Sequence, residues 1–203
     1  MDAGRDASRA KSELRTRLLA RRAQRPREER DAAAQAVATA LAGFMESHGA
    51  VSAPLRLRIA AHVPLAVEPG HGTLPAALHR DGVEVLLPIS PPGTHELAWA
   101  VDDGRLAPGR FGLLEPTGPR LPSSAIARAD VVVVPALSVG LDGSRLGRGG
   151  GWYDRALASA REDAVLVAVV FDDELVQALP TEPHDRPVTA VVTPGGGWQD
   201  LPG

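Results

Sequence analysis

The segment Arg145-Leu146-Gly147-Arg148-Gly149-Gly150-Gly151-Trp152-Tyr153-Asp154-Arg155 carries the residue types that bind a phosphorylated ligand. The adjacent glycines Gly149, Gly150 and Gly151 put no side chain between a ligand and the backbone N–H groups, and a helix opening near Trp152 adds partial positive charge there. Arg145 and Arg148 bracket the run with planar forks that match phosphate oxygens in a way a lysine point charge does not. Asp154 follows in the first helical turn. A carboxylate beside a phosphate site repels its ligand unless a cation lies between, which points to Mg²⁺; the alternative is an acid favoured at a helix start by the macrodipole.

The cradle is neither of the common nucleotide motifs. A phosphate-binding loop of the Walker type needs Gly-Lys-Ser/Thr, and no lysine is here. A dinucleotide fingerprint needs its third glycine where Trp152 stands, and opens directly after a strand. Here the preceding strand, Val131-Val132-Val133-Val134-Pro135, is separated from the glycines by a long polar loop. Four consecutive β-branched residues suit a strand covered on both faces of a parallel α/β sheet, and ligands of such sheets lie beyond the strands' carboxyl ends.

The elements that position these groups are legible in order. Residues 6–25 form an amphipathic helix, with Ala10, Leu14 and Leu18 at every fourth position and Asp6 or Ser8 as N-cap. Its polar side is cationic: Lys11, Arg15 and Arg22 lie along one stripe, Arg17, Arg21 and Arg25 along another. Lys11 is the sole lysine among 22 basic residues; an ammonium requirement and chance survival in an arginine-biased chain both fit. Pro26 opens a second, packing helix that ends at His48-Gly49. Strands are predicted at residues 57–63, 83–89, 96–101, 131–135, 164–171 and 188–193, with helices near 73–79, over 152–161 and from Asp173 through Leu179. Residues 105–122 are too rich in breakers for a regular element, with a structural crossover as the default reading. Glu68 stands just beyond the first strand's carboxyl end. The six histidines, His62, His71 and His95 among them, have no recognised ligand spacing and default to surface or satisfied core.

Val132 to Pro135, Gly143, Arg145-Leu146-Gly147, Gly149 to Gly151 and Tyr153-Asp154-Arg155 resemble the signature of the 5-formyltetrahydrofolate cyclo-ligase family, the 5,10-methenyltetrahydrofolate synthetases, and the length is similar. The resemblance implies ATP- and Mg²⁺-dependent cyclisation of 5-formyltetrahydrofolate, with or without a polyglutamate tail, to 5,10-methenyltetrahydrofolate. It implies that Lys11, Arg15, Arg145 and Arg148 neutralise phosphate charge, that the backbone from Gly147 through Arg148 to Gly149, Gly150 and Gly151 cradles the phosphates, and that Lys11, Arg145 and Arg148 act in catalysis. Asp154 and Asp185 are implied to hold the metal, Glu68 and Arg148 to bind the folate, and Trp152 or Tyr153 to pack against a ring. The chain departs from the pattern at Val139-Gly140, where Phe-Asp is usual and the aspartate is displaced to Asp142. Thr189 stands where an aspartate is common, Arg148 and Trp152 where tyrosines are, and Pro69-Gly70-His71-Gly72 separates Glu68 from Thr73. Two other classes remain: a sugar-phosphate isomerase or acyl-carrier-type enzyme on a similar scaffold, needing neither Mg²⁺ nor the N-terminal cations, and a non-catalytic paralogue that binds folate or nucleotide.

The 203 residues suit one domain, a three-layer α/β/α Rossmann-like unit with a mostly parallel sheet, an N-terminal helical pair over about residues 6–48 and a flexible tail from 194 to 203. Aromatics at 3% leave the core to Ala, Val and Leu, and a net charge of −3 argues against nucleic acid. No cysteine occurs, which excludes disulfides and thiolate chemistry. With no apolar run of membrane length, the expectation is a cytoplasmic monomer with a small-molecule substrate and no membrane partner.

Overall fold

The computed structural model describes residues 3–49, 57–182 and 185–202. Two long helices, α1 (Ala3–Gln24) and α2 (Arg27–Gly49), are parted at Pro26, which has no N–H to continue the first and a fixed φ that suits the start of the second. Then follow β1 (Leu57–Ala60), α3 (Leu74–Leu78), β2 (Val83–Ile89), β3 (Ala98–Val101), β4 (Leu106–Pro108), β5 (Leu114–Pro116), β6 (Val131–Pro135), β7 (Ser138–Gly140) and β8 (Arg145–Leu146). The chain continues through α4 (Trp152–Leu157), β9 (Val165–Val169), β10 (Leu175–Val176), β11 (Ala190–Thr193) and β12 (Gly197–Asp200).

Seven strands form the main sheet in the order β12-β11-β9-β6-β1-β2-β3. The inner pairs are parallel; β3 and β12 run antiparallel at the two edges. The first strand sits between β2, which follows it, and β6, which comes much later. Strand order therefore reverses between β1 and β6, and that is where a crevice opens in doubly wound sheets.

The period-2 alternation of a buried strand sorts β6 between two cores. Val131 and Val133 face Val37, Leu41 and Met45 of α2 and Leu74 and Leu78 of α3. Val132 and Val134 face the opposite layer, with Trp99, Ile126 and Leu157. All four valines are buried, so both faces of the sheet are covered as the valine run predicts. Helix α1 packs instead beside the small sheet β10-β7-β8, where Leu18 meets Leu137, Leu146 and Leu179.

One contact locks α1 to the core. Arg22 is 1% exposed, and its guanidinium donates to both carboxylate oxygens of Glu174, at 2.8 and 2.7 Å, and to the Ala136 carbonyl at 2.7 Å. Glu174 is itself fully buried and accepts the Phe171 N–H at 2.9 Å. This bidentate pair is the geometry in which a buried charge is best compensated.

Several local expectations give way. The tail is not flexible: residues 197–200 pair with β11 as an edge strand, because Trp198 stacks on Phe44 of α2 at 3.8 Å and covers apolar surface. Residues 105–122 contain the β4–β5 hairpin, which holds despite its prolines because both are at strand ends. The helix expected over 152–161 stops at Leu157, and that expected from Asp173 is a single 3₁₀ turn followed by β10. Helix α1 begins at Ala3, which puts Asp6 and Ser8 inside it rather than at a cap. No helix among the described residues is long and apolar enough to cross a membrane.

Candidate active site

A cavity of about 360 Å³ opens beyond the carboxyl ends of β1, β2 and β6, at the point where strand order reverses. Its floor is His62, Pro88, Ser90 and Pro135, which follow or end those strands. The glycine loop from Gly147 to Gly151 lines it with Arg145, Trp152, Tyr153 and Asp154, and so do Glu68, Phe111 and Glu115. The strands thus bring Glu68 and the cradle, far apart in sequence, to one hole.

The loop's backbone needs its glycines. Gly149 and Gly151 have φ of 89° and 68°, left-handed values that side chains rarely adopt. A Cβ on Gly150 would lie 2.8 Å from the Trp152 ring. Gly151 is the residue from which α4 starts. Since α4 has only six residues, positive potential at the cradle comes from the nearby guanidinium groups and bare N–H groups more than from a helix dipole.

Helix α1 reaches the cradle through Arg15, whose Nε donates to the Gly147 carbonyl at 3.0 Å and whose guanidinium packs over Gly149. One turn earlier, Lys11 is 3% exposed and donates to Asp185 at 2.6 Å and Glu182 at 2.9 Å. Burial works against the Lys11 ammonium, but the hydrogen bonds and charges of Asp185 and Glu182 win and raise its pKa. Arg145, its side chain nearly buried, donates to Asp154 at 2.5 Å and to the Pro135 carbonyl at 3.4 Å, while its buried Nε has no partner. Arg148 is 3.3 Å from Glu68, whose other oxygen accepts the Leu65 N–H at 2.9 Å.

The residues implied to hold a metal each pair with a different cation. Asp154 lines the cavity and accepts from Arg145, whereas Asp185 accepts from Lys11 in the middle of α1. Among the described residues no group of three or more His, Asp or Glu side chains could hold a metal ion. A carboxylate in the cavity beside a glycine cradle still fits Mg²⁺, which takes one or two carboxylates and completes its shell with phosphate oxygens and water.

Sequence reasoning missed part of the wall. Phe111, exposed and held at φ 59°, presents its edge to Trp152 at 6.1 Å, and His95 lies 5.3 Å from the same indole. Strain of this kind persists where the surroundings fix it, often beside a ligand. Glu115 accepts the Ser90 N–H at 2.9 Å, and Phe111, Leu113, Leu114 and Glu115 line the cavity from residues 105–122. Tyr153 is half-buried, with its hydroxyl buried and unpartnered; burial, then the Glu68 charge, pushes its pKa far up, so it stays protonated. His62, by default a core or surface histidine, lines the cavity.

The departures are absorbed locally. At Gly140 a Cβ would collide with the Asp142 carboxylate and the Ser144 hydroxyl, so the displaced aspartate occupies the space of the missing side chain. Thr189 Oγ1 accepts the Leu166 N–H at 3.0 Å and serves the sheet.

A model of the 5-formyltetrahydrofolate cyclo-ligase family matches residues 7–194. The chain belongs to the 5-formyltetrahydrofolate cyclo-ligase family. Within it, the 5-formyltetrahydrofolate cyclo-ligase of Mycolicibacterium smegmatis is 41% identical over 194 residues, covering 93% of this chain and 96% of that protein. Among solved structures, the 5,10-methenyltetrahydrofolate synthetase of Aquifex aeolicus superposes with a TM-score of 0.71 at 26% identity, over 95% of this chain and 93% of that one. The Mycoplasma pneumoniae 5,10-methenyltetrahydrofolate synthetase shares the fold, with a TM-score of 0.68 at 18% identity over 89% of this chain and 96% of that one. The cyclo-ligase family match ends where β12 begins to form, so that edge strand is an addition to the matched region.

Proposed function

We propose that this chain cyclises 5-formyltetrahydrofolate to 5,10-methenyltetrahydrofolate, using ATP and releasing ADP and phosphate. The observation that carries the reading is the cavity itself: a glycine cradle flanked by Arg145, Arg148 and Arg15 faces Glu68 and an aromatic mouth across one crevice. The cradle and its guanidinium groups would take a triphosphate and Glu68 with the aromatic rings a folate, since transfer between them needs both in one hole.

An amide oxygen is a poor leaving group. Phosphorylating the formyl oxygen converts it into a good one; N10 then attacks the activated carbon and phosphate departs. The protein's part is alignment and charge neutralisation around the transferred phosphoryl group. Arg145 and Arg148 would take the phosphate charge in the cavity, Arg15 and Lys11 from the middle of α1, and the N–H groups from Gly147 to Gly151 would cradle the oxygens. Glu68, already fixed by the Leu65 N–H, would accept a hydrogen bond from the pterin, with Trp152 and Phe111 covering a ring face. Asp154 and Asp185 would hold Mg²⁺, which when bound neutralises charge on the phosphates.

The test is the near-ultraviolet absorbance of the methenyl product with 5-formyltetrahydrofolate, ATP and Mg²⁺, with each omitted in turn. A rise that needs all three supports the reading. No rise, with folate or nucleotide still bound by calorimetry, would leave the non-catalytic paralogue.

A further inference from the structure

Ring closure has a proton to dispose of, and the cavity's acids and bases can be sorted by what they already hold. Attack of the N10 lone pair forms the N10–C bond and leaves N10 positively charged, still bearing its hydrogen. That N–H bond must break, with its electron pair staying on nitrogen, before the C–O bond can break and phosphate carry off its pair. Glu68 is committed to the Leu65 N–H and Arg148, with Arg22 at 3.9 Å; Asp154 is committed to Arg145, and Glu115 to the Ser90 N–H. Each of these carboxylates already accepts at least one hydrogen bond from the protein. Tyr153 is held in its protonated form and can only give a proton up at high pH.

His62 is different. It follows β1 at the reversal point, is 7% exposed, lines the cavity, and its Nδ1 lies 3.2 Å from the Val133 carbonyl of β6. A carbonyl can only accept, so Nδ1 carries the proton in that contact and Nε2 is left with a bare lone pair. The Val133 carbonyl also fixes the ring's orientation, as the third member of a catalytic base relay does. Of the charged groups facing it, Glu68 favours the imidazolium and Arg22 opposes it; Arg145, Arg148, Asp154 and Glu115 line the same hole. Burial outweighs these and lowers the His62 pKa, so the ring is neutral and able to accept at neutral pH.

We propose that His62 is the general base of the ring closure, taking the N10 proton on Nε2 as the N10–C bond forms and passing it to water afterwards. The assignment rests on the cyclisation reading above. It gives a function to a residue that no spacing pattern marks, and it leaves the carboxylates of the cavity to their cations.

The experiment compares wild type with His62→Gln and His62→Asn, which keep an amide donor for the Val133 carbonyl and remove the titrating nitrogen. Methenyl formation is followed from pH 5 to 9 for kcat and KM separately. The expected result is a kcat lower by about 10²-fold or more, the usual share of a positioned base, with the KM for 5-formyltetrahydrofolate within about threefold. Wild-type kcat should fall as pH drops through the lowered His62 pKa, and that acid limb should vanish in both variants. A kcat within about threefold of wild type, or an acid limb that persists in the variants, overturns the assignment while leaving the cyclisation intact. A wild type that forms no methenyl product overturns the cyclisation reading and this proposal with it. Should the variants not fold, NMR titration of the His62 ring in wild type decides: its resonances must shift when 5-formyltetrahydrofolate binds, and a ring blind to the substrate refutes the role.

Discussion

Replacing Arg22 by methionine isolates what the buried ion pair contributes. The substitution keeps most of the side-chain volume but removes three hydrogen bonds, two to Glu174 and one to the Ala136 carbonyl, at 2.8, 2.7 and 2.7 Å. Glu174, fully buried, would keep only the Phe171 N–H and would face the core with an uncompensated charge. Breaking one partner of such a pair costs about 3–5 kcal/mol, whereas replacing both by apolar side chains of similar volume is close to neutral. For a domain of this length each kcal/mol moves Tm by roughly 2–4 °C, so Arg22→Met should lower it by about 6–20 °C. Arg22→Met/Glu174→Leu should recover most of that loss. Thermal unfolding of the two single variants and the double variant completes the cycle. A single variant within about 1 kcal/mol of wild type, or a double variant as unstable as the sum of the singles, would refute the claim that the cost is an orphaned charge.

Gly140→Ala should destabilise by about 1–3 kcal/mol, because the new methyl displaces Asp142 and Ser144 and lies 3.0 Å from the Ala178 backbone, read as a fall in Tm. Lys11→Ala removes a charge-assisted contact worth about 1.5–3 kcal/mol and should weaken MgATP binding roughly 10- to 150-fold by calorimetry; unchanged affinity would remove Lys11 from the nucleotide site. Chelating Mg²⁺ should weaken ATP binding as well, since Lys11 and Arg145 are then left with Asp185 and Asp154 as competing anions; equal affinity with and without chelator contradicts this. Stability should depend on pH at both ends. The unfolded chain protonates His62 at its ordinary 6.5 while the folded chain resists, so stability falls as pH drops below about 6.5. It also falls as pH rises above 10, where unfolded Tyr153 ionises and folded Tyr153 does not; Tyr153→Phe should flatten that limb of the denaturation profile.

How far the sequence carries depends on which interactions are periodic. The valine run of β6 encodes burial on both faces in its composition, and the sheet follows from strands alternating with helices, so the layers and the crevice were legible. Only the family resemblance puts Arg15 among the phosphate-binding groups; the helix stripe by itself reads as a solvated face, and the contact with the Gly147 carbonyl spans 132 residues. The end of the chain was not legible: residues 194–203 read as a flexible tail, but Trp198 finds Phe44 on α2, and stacking between residues so far apart leaves no trace in local propensity. Charge pairing has the same character. Lys11 and Asp185 meet across 174 residues, and nothing in either neighbourhood says that the ammonium assigned to a phosphate and the carboxylate assigned to a metal neutralise one another. Arg145 and Asp154 repeat the arrangement nine residues apart. Pairing Lys11 with Asp185 and Arg145 with Asp154 leaves none of these partly buried charges alone. His62 escaped for the opposite reason. It takes part in no charge pattern, and its use comes from one carbonyl on a neighbouring strand, which only the β1–β6 pairing supplies.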